Sequence, residues 1–366
     1  MMTTALATPA VPHVPLWSPQ RAHAWFAAQP RILGANFIPA SAINQLEMWQ
    51  AETFDPERID LELGWAADLG MNTMRVFLHD LLWAHDAEGF KQRIDTYLDI
   101  ATRHGIRTML VLFDSCWDPR PALGRQRWPV PGIHNSGWVQ SPGAAQLANP
   151  SCYPALRAYV EDIVASFGND DRVWCWDLWN EPDNQGGGMG YYQPFEAAEK
   201  ITLVARLLPQ VFGWAQACAP AQPLTSGVWF GDDWSPASTV LNDVQKVQLA
   251  LSDVVTFHDY SGPEKFLDRV HQLQRYERPL ICTEYMARGM GSTFSSALEI
   301  ARTENIGMIN WGFVAGRSQT NMPWDSWKTP YADTPPPVWF HDVLHPDGTP
   351  YCKEEVELLR QFGKSE

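Results

Sequence analysis

The sequence predicts a single α/β domain, a (β/α)8 TIM barrel with long aromatic-rich loops after strands 3 and 8. Three observations lead there. Eight short β-rich apolar runs alternate with longer stretches of helical periodicity. The runs are nearly continuous in apolar residues, the pattern of parallel strands covered on both faces. The eight units take up about 290 residues, a span that suits a closed barrel. A doubly wound open sheet is the alternative, but no GxGxxG follows the first strand.

The predicted strands are RILGANFIP (31–39), NTMRVFLHD (72–80), RTMLVLFD (107–114), VWCWDLWN (173–180), PLTSGVWF (223–230), VVTFHDY (254–260), PLICTEYM (279–286) and GMINWGFV (307–314). Apolar spacing of i, i+3, i+4 predicts helices in RIDLELGWAADLG, FKQRIDTYLDIATRHG, YPALRAYVEDIVASFG and EKFLDRVHQLQRYE. Gly70, Gly105 and Gly168 stand where helices end. Two connections are long: Asp114 to Cys152, and Gly316 to Pro337. Both follow strands, so both belong to the C-terminal face, where barrel enzymes work. Residues 1–366 form one domain: a barrel core over about 31–320, an N-terminal segment 1–30, and a C-terminal loop and surface helix over 321–366.

A net charge of −15 and a pI near 5.1 argue against a nucleic-acid or anionic-membrane partner. The six cysteines show no CxxC and no zinc spacing. The N-terminus has neither a basic n-region nor a sustained apolar run, so a soluble, cytoplasmic protein is expected. No metal and no cofactor is expected. The oligomeric state is open.

Two acids differ from the rest, because Glu181 and Glu284 each close a strongly apolar strand, where an unpaired charge is costly. Their positions on strands four and seven place them across the barrel mouth from each other. A facing pair of carboxylates can cleave a glycosidic bond, one as acid and one as nucleophile, if their pKa values are pushed apart. Pro182 biases Glu181 away from helical geometry. Arg75, a lone cation in an apolar strand, needs an anionic partner, and beside Glu284 it would hold that group ionised. His79 and Asp80 at the end of strand two, and Asp114 at the end of strand three, are positioned to reach sugar hydroxyls. Of the 18 tryptophans, Trp25, Trp65, Trp174, Trp176 and Trp214 read mostly as core. Trp117, Trp128, Trp138, Trp229, Trp234, Trp324 and Trp327 fall in or beside strand-to-helix loops, where a ring with a polar edge suits a pyranose face.

The residues Arg75, WNEP (179–182), HDY (258–260), TEY (283–285) and NWGF (310–313), on strands two, four, six, seven and eight, resemble in this order clan A retaining glycoside hydrolases, with the closest likeness to the family 5 cellulase and mannanase group. The likeness covers roughly residues 31–320. It implies that Glu181 is the acid/base and Glu284 the nucleophile. It further implies that Asn180 contacts the sugar 2-hydroxyl, that His258 and Tyr260 lie near the nucleophile and substrate, and that Trp311 is the platform under the sugar. FDSCW after strand three and GANFIP in strand one depart from the family pattern. The expected activity is retaining hydrolysis of β-linked gluco-, manno- or xylo-configured oligosaccharides in a pocket or short cleft. A transglycosylase of the same mechanism and a non-catalytic carbohydrate-binding protein are the alternatives.

Overall fold

The computed structural model describes residues 16–186 and 191–364. The segment 1–15, on which the leader expectation rests, and Gly187 and Gly188 of the glycine run lie outside the described residues.

Eight parallel strands form the sheet: β1 (Leu33–Asn36), β2 (Thr73–Phe77), β3 (Arg107–Asp114), β4 (Val173–Asn180), β5 (Leu224–Thr225), β6 (Val255–His258), β7 (Leu280–Glu284) and β8 (Gly307–Asn310). Their order, β5-β4-β3-β2-β1-β8-β7-β6, is that of a barrel cut open between β5 and β6. That seam is joined at a single bridge, where Val228 N donates to Thr256 O at 3.2 Å and His258 N to Val228 O at 2.9 Å. All eight predicted strands are present. PLTSGVWF pairs as a strand only at Leu224–Thr225, so the expected fifth strand is mostly loop.

A helix follows every strand. Pro56–Asp68 starts where the Asp55 side chain accepts from Arg58 N and Pro56 occupies the first turn, and it stops before Gly70 at φ +80°. Asp243–Leu251 starts with a capping box made by Asn242 and Gln245. The C-terminal helix Lys353–Gly363, expected as a surface helix, follows the eighth strand and buries one face, Val356, Leu359 and Phe362, in the main core. The amphipathic pattern alone did not show which surface its apolar face covers.

Within the barrel, side chains separate by layer, because alternate residues of a strand share a face. Cys175 joins Met109, Ile281 and Ile309 in an apolar floor. The helix Pro19–Ala27 covers that floor, with Trp25 stacked on Trp174 at 5.6 Å between ring centroids. Asp177, two residues beyond Cys175, is fully buried and pairs with Arg75. Above them Phe77, Val111, Trp138 and Trp117 form an aromatic cluster at the mouth. The strands thus raise one polar layer above a sealed floor, and the functional residues stand on that layer.

Candidate active site

Strand ends bring the paired acids together. β4 stops at Asn180, and Glu181 takes a left-handed conformation at φ +42°. A non-glycine residue held there, before a proline, stores roughly 1–3 kcal/mol of strain that the surrounding contacts must offset. Those contacts grip both carboxylate oxygens. Asn184 Nδ2 donates to Oε2 at 2.7 Å, Cys116 Sγ lies 3.2 Å from the same oxygen, and His258 Nδ1 is 2.9 Å from Oε1.

Glu284 ends β7 and faces the same imidazole, with Oε2 3.4 Å from His258 Nδ1. Tyr260 OH donates to Oε2 at 2.7 Å, and Arg75 Nη1 donates to Oε1 at 3.0 Å. One ligand-capable atom from each of Glu181, His258 and Glu284 lies within 4.8 Å of the others. A cation bound among these three would face the Arg75 charge next to Glu284, so the arrangement fits proton chemistry better than metal binding.

The environment divides the two carboxylates. Burial pushes Glu181 up to about 7, against the opposing hydrogen bonds from Asn184 and Cys116. Burial also raises Glu284, and the facing Glu181 adds to that, while His258, Arg75 and the Tyr260 hydroxyl oppose it. Glu181 has no cation in contact, whereas Glu284 touches Arg75. Burial lowers His258 to about 4, leaving a neutral imidazole between the two acids. Burial pushes Tyr260 well up, so it stays a hydrogen-bond donor.

Beneath the pair lies a buried network anchored on Arg75. Burial works against the Arg75 charge, but Asp177 and Glu284 more than offset it. Arg75 Nη2 reaches Asp177 Oδ2 at 2.7 Å and Asn180 Oδ1 at 2.6 Å, and Nη1 reaches Asn36 Oδ1 at 2.7 Å. Asn180 in turn donates to Asp114 Oδ1 at 2.9 Å. Arg75 therefore has the expected partner, Glu284, and a second one in Asp177, which the sequence did not single out.

A cavity of about 270 Å³ opens above the pair, near the small end of ligand pockets, roughly 300–1,000 Å³. Asn180, Glu181, Tyr260, Glu284, Trp311, Trp117, Trp229 and Trp324, all candidates from the sequence, line it. His258 and Arg75 are not among the lining residues but contact the carboxylates, His258 both of them and Arg75 Glu284. His79 is not among the lining residues either: it is fully buried, and its Nδ1 accepts from Leu81 N to cap the helix Asp80–Arg103. Asp80 binds Ser141 and Gln146, and Asp114 binds Asn180 and Trp138, so both serve the framework. Among the other loop tryptophans, Trp234 is buried beneath Arg269, Trp128 is exposed beside Arg317, and Trp327 stacks on Trp117.

Sequence reasoning missed Cys116, His134 and Asn184, all of which line the cavity. Asn184 carried a signal, since it follows Glu181 by three residues, within reach of a turn. Cys116 lay within the noted FDSCW departure, two residues past Asp114. His134 sits deep in the long loop, and no local pattern marks it.

No family model matches the chain. Among curated proteins it is similar to mannan endo-1,4-beta-mannosidase A of Emericella nidulans, 29% identical over 91 residues, which is 25% of this chain and 21% of that protein. It is also similar to the probable mannan endo-1,4-beta-mannosidase A of Aspergillus flavus, 24% identical over 105 residues, 28% of this chain and 24% of that protein. The chain thus matches under a quarter of the length of these relatives. Among solved structures it is similar to the endo-1,4-beta-D-mannanase of Thermotoga petrophila, with a TM-score of 0.55 and 13% identity, covering 91% of this chain and 99% of that one. It is likewise similar to the exo-beta-1,4-mannosidase of an Opitutaceae bacterium, with a TM-score of 0.59 and 18% identity, covering 91% and 59%. These likenesses establish the barrel fold. No helix among the described residues is long and apolar enough to cross a membrane.

Proposed function

We propose that the chain is a clan A, family 5 glycoside hydrolase that cleaves β-linked mannosides with retention, ahead of the gluco- and xylo-configured substrates. One observation carries this reading: Glu181 and Glu284 face each other on β4 and β7, with atoms of both and of His258 within 4.8 Å. Retaining enzymes hold their carboxyl groups about 5–5.5 Å apart, whereas inverting enzymes leave roughly 6.5–9.5 Å for a water. The mannanase names of the curated relatives and of the structural neighbours support the choice of sugar.

The roles follow from the surroundings. Ionised Glu284, oriented by Arg75 and Tyr260, attacks the anomeric carbon. Protonated Glu181 delivers its proton to the departing oxygen. Esterification removes the Glu284 charge, Glu181 becomes more acidic, and it then takes a proton from the water that releases the sugar. Trp311 offers its face to the ring, braced edge-on by Phe77 at 6.0 Å and Trp138 at 6.0 Å.

The test replaces Glu181 and Glu284 by Ala separately and measures turnover of an aryl β-mannoside. A lost general acid costs roughly 10²–10⁴ in rate with a poor leaving group, and a lost nucleophile costs more. Near-parental turnover in either variant refutes the assignment. Tight oligosaccharide binding without turnover by the parent would show a binding protein instead. Transfer to a sugar acceptor would show transglycosylation.

A further inference from the structure

The flanks of the cavity are built differently. On the side of β8, β1 and β3 the two long loops are laced together. Asn135 N donates to Ser318 O at 2.9 Å, Tyr331 N to Gly132 O at 3.0 Å, and His134 N to Ser326 Oγ at 2.9 Å. Gln319 Nε2 donates to Val130 O at 2.7 Å, and Trp117 lies parallel to Trp327 with centroids 5.0 Å apart. The backbones meet closely enough that a Cβ on Gly132 would come within 2.2 Å of Tyr331. Arg317 N extends the seam to Ala40 O at 3.0 Å, and Tyr191 extends it to the β4 loop, 4.5 Å from Trp327.

The β5 side is the reverse. Asp183 fixes Trp229 there through Nε1 at 2.6 Å, and binds Asn242 Nδ2 at 2.7 Å. Next to Trp229, Phe230 is 62% exposed, and Val240 in the same loop is 68% exposed. Beside Trp229, which lines the cavity, these exposed apolar side chains are available to pack against a sugar ring. This surface adjoins Glu181, two residues before Asp183, on the side where a leaving group must depart.

We propose that the cavity takes one terminal sugar and that the protein releases monosaccharides from the non-reducing end, with Trp229 and Phe230 receiving the rest of the chain. The inference rests on the glycosidase reading above and specifies its substrate. The ring whose C1 meets Glu284 has the laced loops on its far side, so a further sugar on that ring meets the wall. The chain attached through the scissile oxygen leaves past Glu181 toward Trp229. Each turnover breaks one C1–O bond, places the hydroxyl of a water on C1 of the freed sugar, and leaves a proton on the shortened chain.

The test uses the full chain and a β-1,4-hexasaccharide with a fluorophore at its reducing end, of whichever sugar gives the fastest aryl glycoside cleavage. A second hexasaccharide carries a 4,6-O-benzylidene cap on the non-reducing ring. Labelled products that shorten by one sugar at a time, with free monosaccharide as the first unlabelled product, are expected. The cap should slow cleavage at least 100-fold. Early release of disaccharide or longer pieces, or equal cleavage of the capped chain, overturns the inference while the aryl glycoside result upholds the glycosidase reading. Failure to cleave even the aryl glycosides overturns both.

Discussion

Replacing Glu284 by Gln removes one negative charge facing Glu181 while nearly preserving shape. With the pair's atoms within 4.8 Å and an effective dielectric of about 20, the repulsion between two ionised carboxylates is about 3 kcal/mol. That corresponds to about two pK units. Burial, the main cause of the raised Glu181 value, persists in the variant, so only the charge contribution is removed. The Glu284 charge favours the protonated form of Glu181, so its loss must move the Glu181 midpoint downward. Titration of a 13C-labelled Glu181 carboxyl should show a midpoint of about 7 in the parent and about two units lower in the variant. The same direction is expected when Glu284 is esterified by a 2-deoxy-2-fluoro glycoside. A midpoint that moves less than about half a unit, or moves upward, would refute a coupled pair with Glu284 as the charged member.

Two further outcomes follow from the same geometry. With Glu181 as the proposed acid and burial pushing its carboxyl up to about 7, kcat/KM for a substrate with a poor leaving group should fall as pH rises through about 7; the pH profile of Glu181→Ala should lack that limb. Replacing Arg75 by Ala leaves Asp177 and Glu284 buried without a counter-charge, which should cost about 3–5 kcal/mol in chemical denaturation. A loss under 1 kcal/mol would mean the network is not held by Arg75.

Much of this architecture was legible in the sequence, because buried parallel strands are apolar on both faces and stand out as runs. The acids that close those runs were legible for the same reason: Glu181 and Glu284 interrupt the pattern only at its edge. Asp177 interrupts it in the middle, and whether an acid there faces the barrel axis or the helices depends on a strand register that only pairing reveals. His79 was ambiguous in the sequence because the same position serves equally as a strand end or as the cap of the helix beginning at Asp80, and in the structure it caps that helix. Cys116, His134 and Asn184 depend on where loops return in space, and the contacts that set their paths, such as Gly132 against Tyr331, connect residues about 200 apart.

The buried network around Arg75 also has a charge count. Two carboxylates, Asp177 and Glu284, share the single guanidinium of Arg75, and Asp114 joins them through Asn180. One cation cannot balance these acids when more than one of them is ionised, and the floor of the cavity then carries net negative charge. A neutral sugar leaves that imbalance in place. A ring that gains positive charge as its bond stretches cancels it, so the vacancy in the charge balance favours the distorted, cationic ring over the resting one.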